Sequence, residues 1–240
     1  MTALIRGELI KVRSTRTALG FALATALLIL AQVLIGILTS DLVAVEDKRA
    51  AIAVGSTASV TLLVFGIVGA TGEFRHRTVA PAVLIAPDRF RLDIARMTAY
   101  ALTGLLVGAI AIVVALVIGL PLLGDEPGAE LEGKHYVAVI VGGLGAAALA
   151  AAIGVGVGLL VRNQVAGVVG ALVWLFILEP LVSLISDDAV DYTIGEAAGA
   201  AGGASTEDAL SWGAGLAVLA AWAVLLVAAG LLVDRRRDVE

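Results

Sequence analysis

Apolar residues fill six long blocks of this chain, at 19–38, 51–71, 98–120, 137–161, 165–185 and 211–233, with the polar residues gathered between them. A hydrocarbon core of about 30 Å is crossed by roughly 20 helical residues, because each residue rises about 1.5 Å. Every block meets that length. In lipid the backbone has to satisfy its own hydrogen bonds, so each block is predicted to be a helix. Strands of a membrane barrel would run about 10 residues and alternate in polarity, which no segment here does. The narrowest gap, Arg162, Asn163 and Gln164, predicts a hairpin turn at the membrane surface between the fourth and fifth spans. The first block exceeds the length of a signal-peptide core and is followed by no small-x-small cleavage site, so it is expected to be retained as a span.

The polar segments carry patterns of their own. In TALIRGELIKVRSTR, residues 2–16, Ile5, Leu9 and Val12 form one stripe, with Arg6 and Arg13 on another side. That spacing predicts an interfacial helix, either a basic anchor for the first span or a brace for a cytoplasmic partner. Residues 72–97, GEFRHRTVAPAVLIAPDRFRLDIARM, hold five arginines and a histidine and are cut by Pro81 and Pro87. Asp88 is predicted to be the N-cap of a helix that continues into the third span. On it Phe90, Ile94 and Met97 share one face, while Arg89, Asp93 and Arg96 share another at i, i+4, i+7. A segment that only sets topology needs a few arginines; this one mixes charge with Phe74, Val83 and Leu84, which suits the docking of another protein. The acidic, Ala- and Gly-rich stretch 186–210 leaves a short helix or an irregular loop open.

Composition and charge placement narrow the class. With 60% hydrophobic and 15% charged residues and a mean hydropathy of +1.03, the chain lacks the polar surface of a soluble domain. It has no cysteine, which excludes disulfides and thiolate metal sites. With the N-terminus in the cytoplasm, 13 of the 16 basic residues fall in inner segments and only Lys48, Arg49 and Lys134 fall outside. The acids run the other way, with 13 of 21 in outer loops. The excess of Lys and Arg inside predicts a multi-pass protein of the cell membrane with both termini cytoplasmic.

Little in the sequence can perform chemistry. There is no G-x-x-x-x-G-K-[ST], so no P-loop for ATP. GVGVG at 154–158 lies within the fourth span, where Gly154 and Gly158 are expected to let helices approach closely. His76 and His135 belong to opposite sides of the membrane, which disfavours a His-based metal site, and no metal site or catalytic residue is expected. The intramembrane acid is Glu179 in LVWLFILEPLVSLI. A charge at mid-bilayer costs about 2.5–3.5 kcal/mol on insertion scales, so Glu179 should face the bundle, as a pathway or gating residue or in an interhelical hydrogen bond. Gln32, Ser56 and Ser59, with Thr57 and Thr61, are weaker pathway candidates of the same kind.

Two stretches resemble a known family. "GEFRHRT" after the second span and "RNQVAGVVGALVWLFILEPLV" at the fourth-to-fifth hairpin are similar to segments of ABC-2 type permeases, the membrane subunits of a class of ABC transporters. The resemblance covers nearly the whole chain: basic start, six spans, long inner segment between spans two and three, Arg-rich tail. It implies an all-α membrane fold with six transmembrane helices and an N-terminal interfacial helix. It implies an exporter subunit, not itself an enzyme, for an apolar or amphipathic drug, lipid or peptide, paired with a second copy or a sister permease. ATP and Mg would be bound by a separate cytoplasmic ABC ATPase, with no cofactor on this chain and no nucleic-acid partner. Glu73, Phe74, Arg75, His76, Arg77, Thr78 and Arg89 would dock that ATPase, and substrate would pass near spans two and five. From other classes come a proton- or ion-coupled carrier using Glu179 and a non-transporting membrane scaffold or immunity protein.

Overall fold

Residues 1–39, 42–75, 88–124, 131–204 and 210–236 are described by the computed structural model, and every regular element among them is helical. The interfacial segment forms α1 (Thr2–Ser14), which turns at an extended Thr15 into α2 (Arg16–Thr39). Then come α3 (Val45–Ile52), α4 (Gly55–Arg75) and α5 (Arg89–Leu123). The fourth span is α6 (Gly133–Val161) and the fifth is α7 (Gln164–Ser183), each interrupted by one π-helical turn. Two short helices, α8 (Asp187–Val190) and α9 (Ile194–Ala201), precede α10 (Trp212–Arg236). Six of these helical stretches are long and apolar enough to cross a membrane, and each overlaps one of the six blocks.

α6 is the hub, and α4, α5 and α10 all lie along it. Its small residues explain why. A Cβ on Gly154 would stand 2.1 Å from the Leu63 carbonyl oxygen, and one on Gly66 would stand 2.3 Å from that of Ala151. The backbones of α4 and α6 thus touch, as lipid-embedded helices do when dispersion and close packing hold them together. Gly158 sits against Ala70 in the same seam, and Gly156 sits against the Leu226 backbone of α10 on the opposite face. α2 is peripheral. It buries Thr25, Ile29, Val33 and Ile37 in a single i, i+4 row and leaves Leu19, Leu23, Leu27 and Leu38 exposed. An outward apolar face of that extent belongs against lipid or another membrane chain.

Three expectations change. The second span is not one helix over 51–71: Ala53 and Val54 separate α3 from α4. Gly55 explains the break, because a Cβ there would lie 2.1 Å from the Ala198 carbonyl oxygen of α9. The backbone group freed by the break is not left bare, since Gln32 Nε2 on α2 donates to the Ala53 carbonyl at 2.6 Å. On α5 the Asp88 cap forms, its side chain accepting from the Arg91 N–H at 3.3 Å. The polar face is not a solvent face, however: Asp93 and Arg96 are buried, while on the apolar face Ile94 and Met97 are half-buried against the core and Phe90 is 44% exposed. On α1 the buried residues are Glu8 and Val12, not the whole apolar stripe. In both helices a buried acid is matched by a buried or bridging base.

Candidate functional site

Glu179 stands where the π turn Trp174–Leu178 of α7 gives way to its last helical turn. Pro180 follows it and has no N–H to return to the Phe176 carbonyl, so the backbone is already loosened here. The Glu179 side chain is 4% exposed and reaches across to α9. Its Oε1 accepts from Trp174 Nε1 at 2.7 Å and from the Ile194 N–H at 3.0 Å, and its Oε2 accepts from the Gly195 N–H at 2.9 Å. The first N–H groups of a helix have no partner within the helix. Thr193, the N-cap of α9, makes no side-chain bond to them, so a carboxylate from a different span caps this helix. Negative charge at a helix N-terminus is favourable in its own right. Gly195 is what admits it, because a Cβ there would stand 2.4 Å from Glu179 Oε2.

Held in this way, α9 packs into the bundle, with Ala197, Ala198, Gly199, Ala200 and Ala201 all buried. A Cβ on Gly142, in the π turn of α6, would lie 1.7 Å from the Ala201 carbonyl oxygen. Between α4, α7 and α9 lies a cleft of about 500 Å³. Ser56, Ser59 and Glu179 line it together with Val60, Leu63, Leu175, Phe176, Ile194 and Glu196. Three of the six intramembrane polar candidates therefore meet at one place. Gln32, Thr57 and Thr61 do not line it; Gln32 accepts from Thr57 and donates to Ala53, tying α2 to the break.

A second constellation occupies the other end of α4. Glu73 accepts from Lys11 Nζ at 3.0 Å and pairs with Arg96, whose Nη1 donates to Asp93 at 3.0 Å. Lys11 also bonds Glu8 at 2.5 Å. Burial works against the charge of Lys11, but the carboxylates of Glu8 and Glu73 outweigh it and hold its pKa above the ordinary lysine value. Beside this chain of pairs, Arg162 of the α6–α7 turn takes the left-handed conformation (φ 53°) and donates to Asp234 Oδ1 of α10 at 2.7 Å. Its guanidinium lies 5.0 Å from the centroid of Phe74, within cation–π range. Glu73 and Phe74, expected to face a partner, are thus both engaged inside the chain. His76, Arg77 and Thr78 lie outside the described residues, as do the side chains of Arg75 and Arg89.

No protein-family model matches the chain, and no curated protein matches its sequence. Its chemistry is therefore read from the two constellations. Among the described residues no three His, Asp or Glu side chains converge as a metal would require. The cleft can hold a guest with an apolar body and a polar head, and the ionic junction can transmit force between α1, α4 and α5. Reading the sequence missed Trp174, Gly195 and Glu196. One signal was available: Thr193-Ile-Gly-Glu196 has the spacing of a capping box and marks the start of α9.

Proposed function

We propose that the chain is the membrane-spanning permease subunit of an ATP-driven ABC exporter that moves an apolar or amphipathic substrate. In this reading a separate cytoplasmic ATPase grips the basic segment between α4 and α5, and a second permease copy or a sister permease completes the transporter. The observation that carries it is Glu73. It is the second residue of the GEFRHRT stretch, on the last turn of α4, and binds Lys11 of α1 and Arg96 of α5, so a push delivered between α4 and α5 would reach three elements together. The six spans, the cleft at the far end of α4 and the absence of a P-loop from the sequence fit the same reading.

Co-purification with an ATPase that carries a Walker A motif is the test. Arg75→Glu reverses a charge in the proposed docking segment and is expected to weaken that association about tenfold. Unchanged association and unchanged transport in the variant would refute the docking role. An autonomous proton-coupled carrier fits less well, because both oxygens of Glu179 are already committed to three N–H donors. Substrate movement by the purified chain in vesicles without any nucleotide hydrolase would reverse that ranking.

A further inference from the structure

We infer that the cleft between α4, α7 and α9 recognises organic cations: amphipathic amines whose ammonium group is held by Glu196 and Ser59. Three observations converge on this class. Glu179, the deeper carboxylate, has its charge matched by a helix N-terminus and three N–H donors, so it has little to offer a guest. Glu196 is in the opposite condition. It occupies the fourth position of the Thr193-x-x-Glu196 pattern, where it would ordinarily reach back to the Thr193 N–H, but that N–H is given to the Val190 carbonyl at 2.9 Å. Among the described residues Glu196 therefore forms no ion pair or hydrogen bond, and it is exposed at the cleft wall.

Ser59 supplies the third observation. It lines the same cleft, is 4% exposed, and its Oγ has no hydrogen-bond partner among the described residues. A buried hydroxyl left without a partner is unfavourable, and a bound N–H donor would relieve that cost. Among the described residues lining the cleft none is Lys, Arg or His, so an anionic guest would meet two carboxylates and no counter-charge. Val60, Leu63, Leu175 and Phe176 provide the apolar wall for the body of the guest. At about 500 Å³ the space is that of a drug-sized molecule.

The substrate class rests on the permease reading, whereas the binding event does not, so the experiment uses the full chain alone in phosphatidylcholine nanodiscs with no ATPase present. The probes are 2-(1-naphthyl)ethylamine, protonated at neutral pH, and its uncharged N-acetyl derivative, each measured by equilibrium dialysis. The amine is expected to bind at least about tenfold more tightly than the N-acetyl compound, a difference that Glu196→Gln removes. Ser59→Ala should weaken the amine about threefold. Asp188→Asn, which removes an exposed acid outside the cleft lining, should leave it unchanged. Equal binding of the two probes, or equal loss of amine binding in Glu196→Gln and Asp188→Asn, would overturn the inference. Either result would leave ATPase association, and with it the permease reading, untouched.

Discussion

Glu179 exchanges its hydration for three N–H donors, and that exchange is what lets a carboxylate sit 4% exposed within a span. The donors come from two sources: the indole of Trp174 in the preceding π turn, and the first two residues of α9. Glu179→Gln keeps the shape but turns one acceptor oxygen into an NH₂ group facing a donor, and it removes the charge that complements the helix N-terminus. A loss of about 2 kcal/mol in unfolding free energy is expected, as for other hydrogen bonds to charged groups. Trp174→Phe removes a single donor and should cost about 1 kcal/mol. Reversible unfolding of the purified chain in mixed micelles measures both. Were Glu179→Gln as stable as the parent, the cap on α9 would not be what holds this acid in place.

At the scale of elements, α4 carries two glycines whose surroundings make opposite demands. Gly55 lies against the α9 backbone, and its missing Cβ leaves room for the Ala198 carbonyl, whereas a Cβ on Gly72 would meet nothing within 4 Å. Gly55→Ala is therefore expected to destabilise by about 2 kcal/mol and to release α9 to fast amide exchange. Gly72→Ala should be neutral or stabilising by up to about 1 kcal/mol, since it only removes a flexible residue from a helix. Equal effects of the two would show that α9 does not pack on the break. The same contrast shows what could be read in advance. The six spans were legible because length and hydropathy are local quantities. The break at Ala53–Val54 was not, because apolar residues flank it on both sides and its cause is a helix folded back from the far side of the chain. Glu179, Ser56 and Ser59 stood out as polar atoms in apolar blocks. Glu196 and Trp174 looked ordinary, and only the return of α9 to the bundle brings Glu196 beside them.

Across the whole molecule, α4 separates two kinds of construction. Its Gly55 end meets α9 through backbone-close packing, and its Glu73 end, about 27 Å away, meets α1 and α5 through charge. Arg96 is the central partner at the second end, 3% exposed and paired with both Glu73 and Asp93. Arg89, Asp93 and Arg96 read in sequence as one polar face, and nothing local shows that Asp93 and Arg96 are buried. Deciding that requires knowing that Glu73 on α4 lies alongside α5. Removing one partner of a buried ion pair strands the other, so Arg96→Met should destabilise by about 3 kcal/mol. Glu73→Gln in the same chain takes away one stranded carboxylate. The double variant is therefore expected to be more stable than the sum of the single losses by more than about 1 kcal/mol. Amide exchange locates the damage: in Arg96→Met, protection should fall at the Glu73 end of α4, in α1 and in the first turns of α5, while α9 stays protected. Additive losses, or loss of protection spread evenly to α9, would mean that the ionic junction is not a unit separate from the cleft.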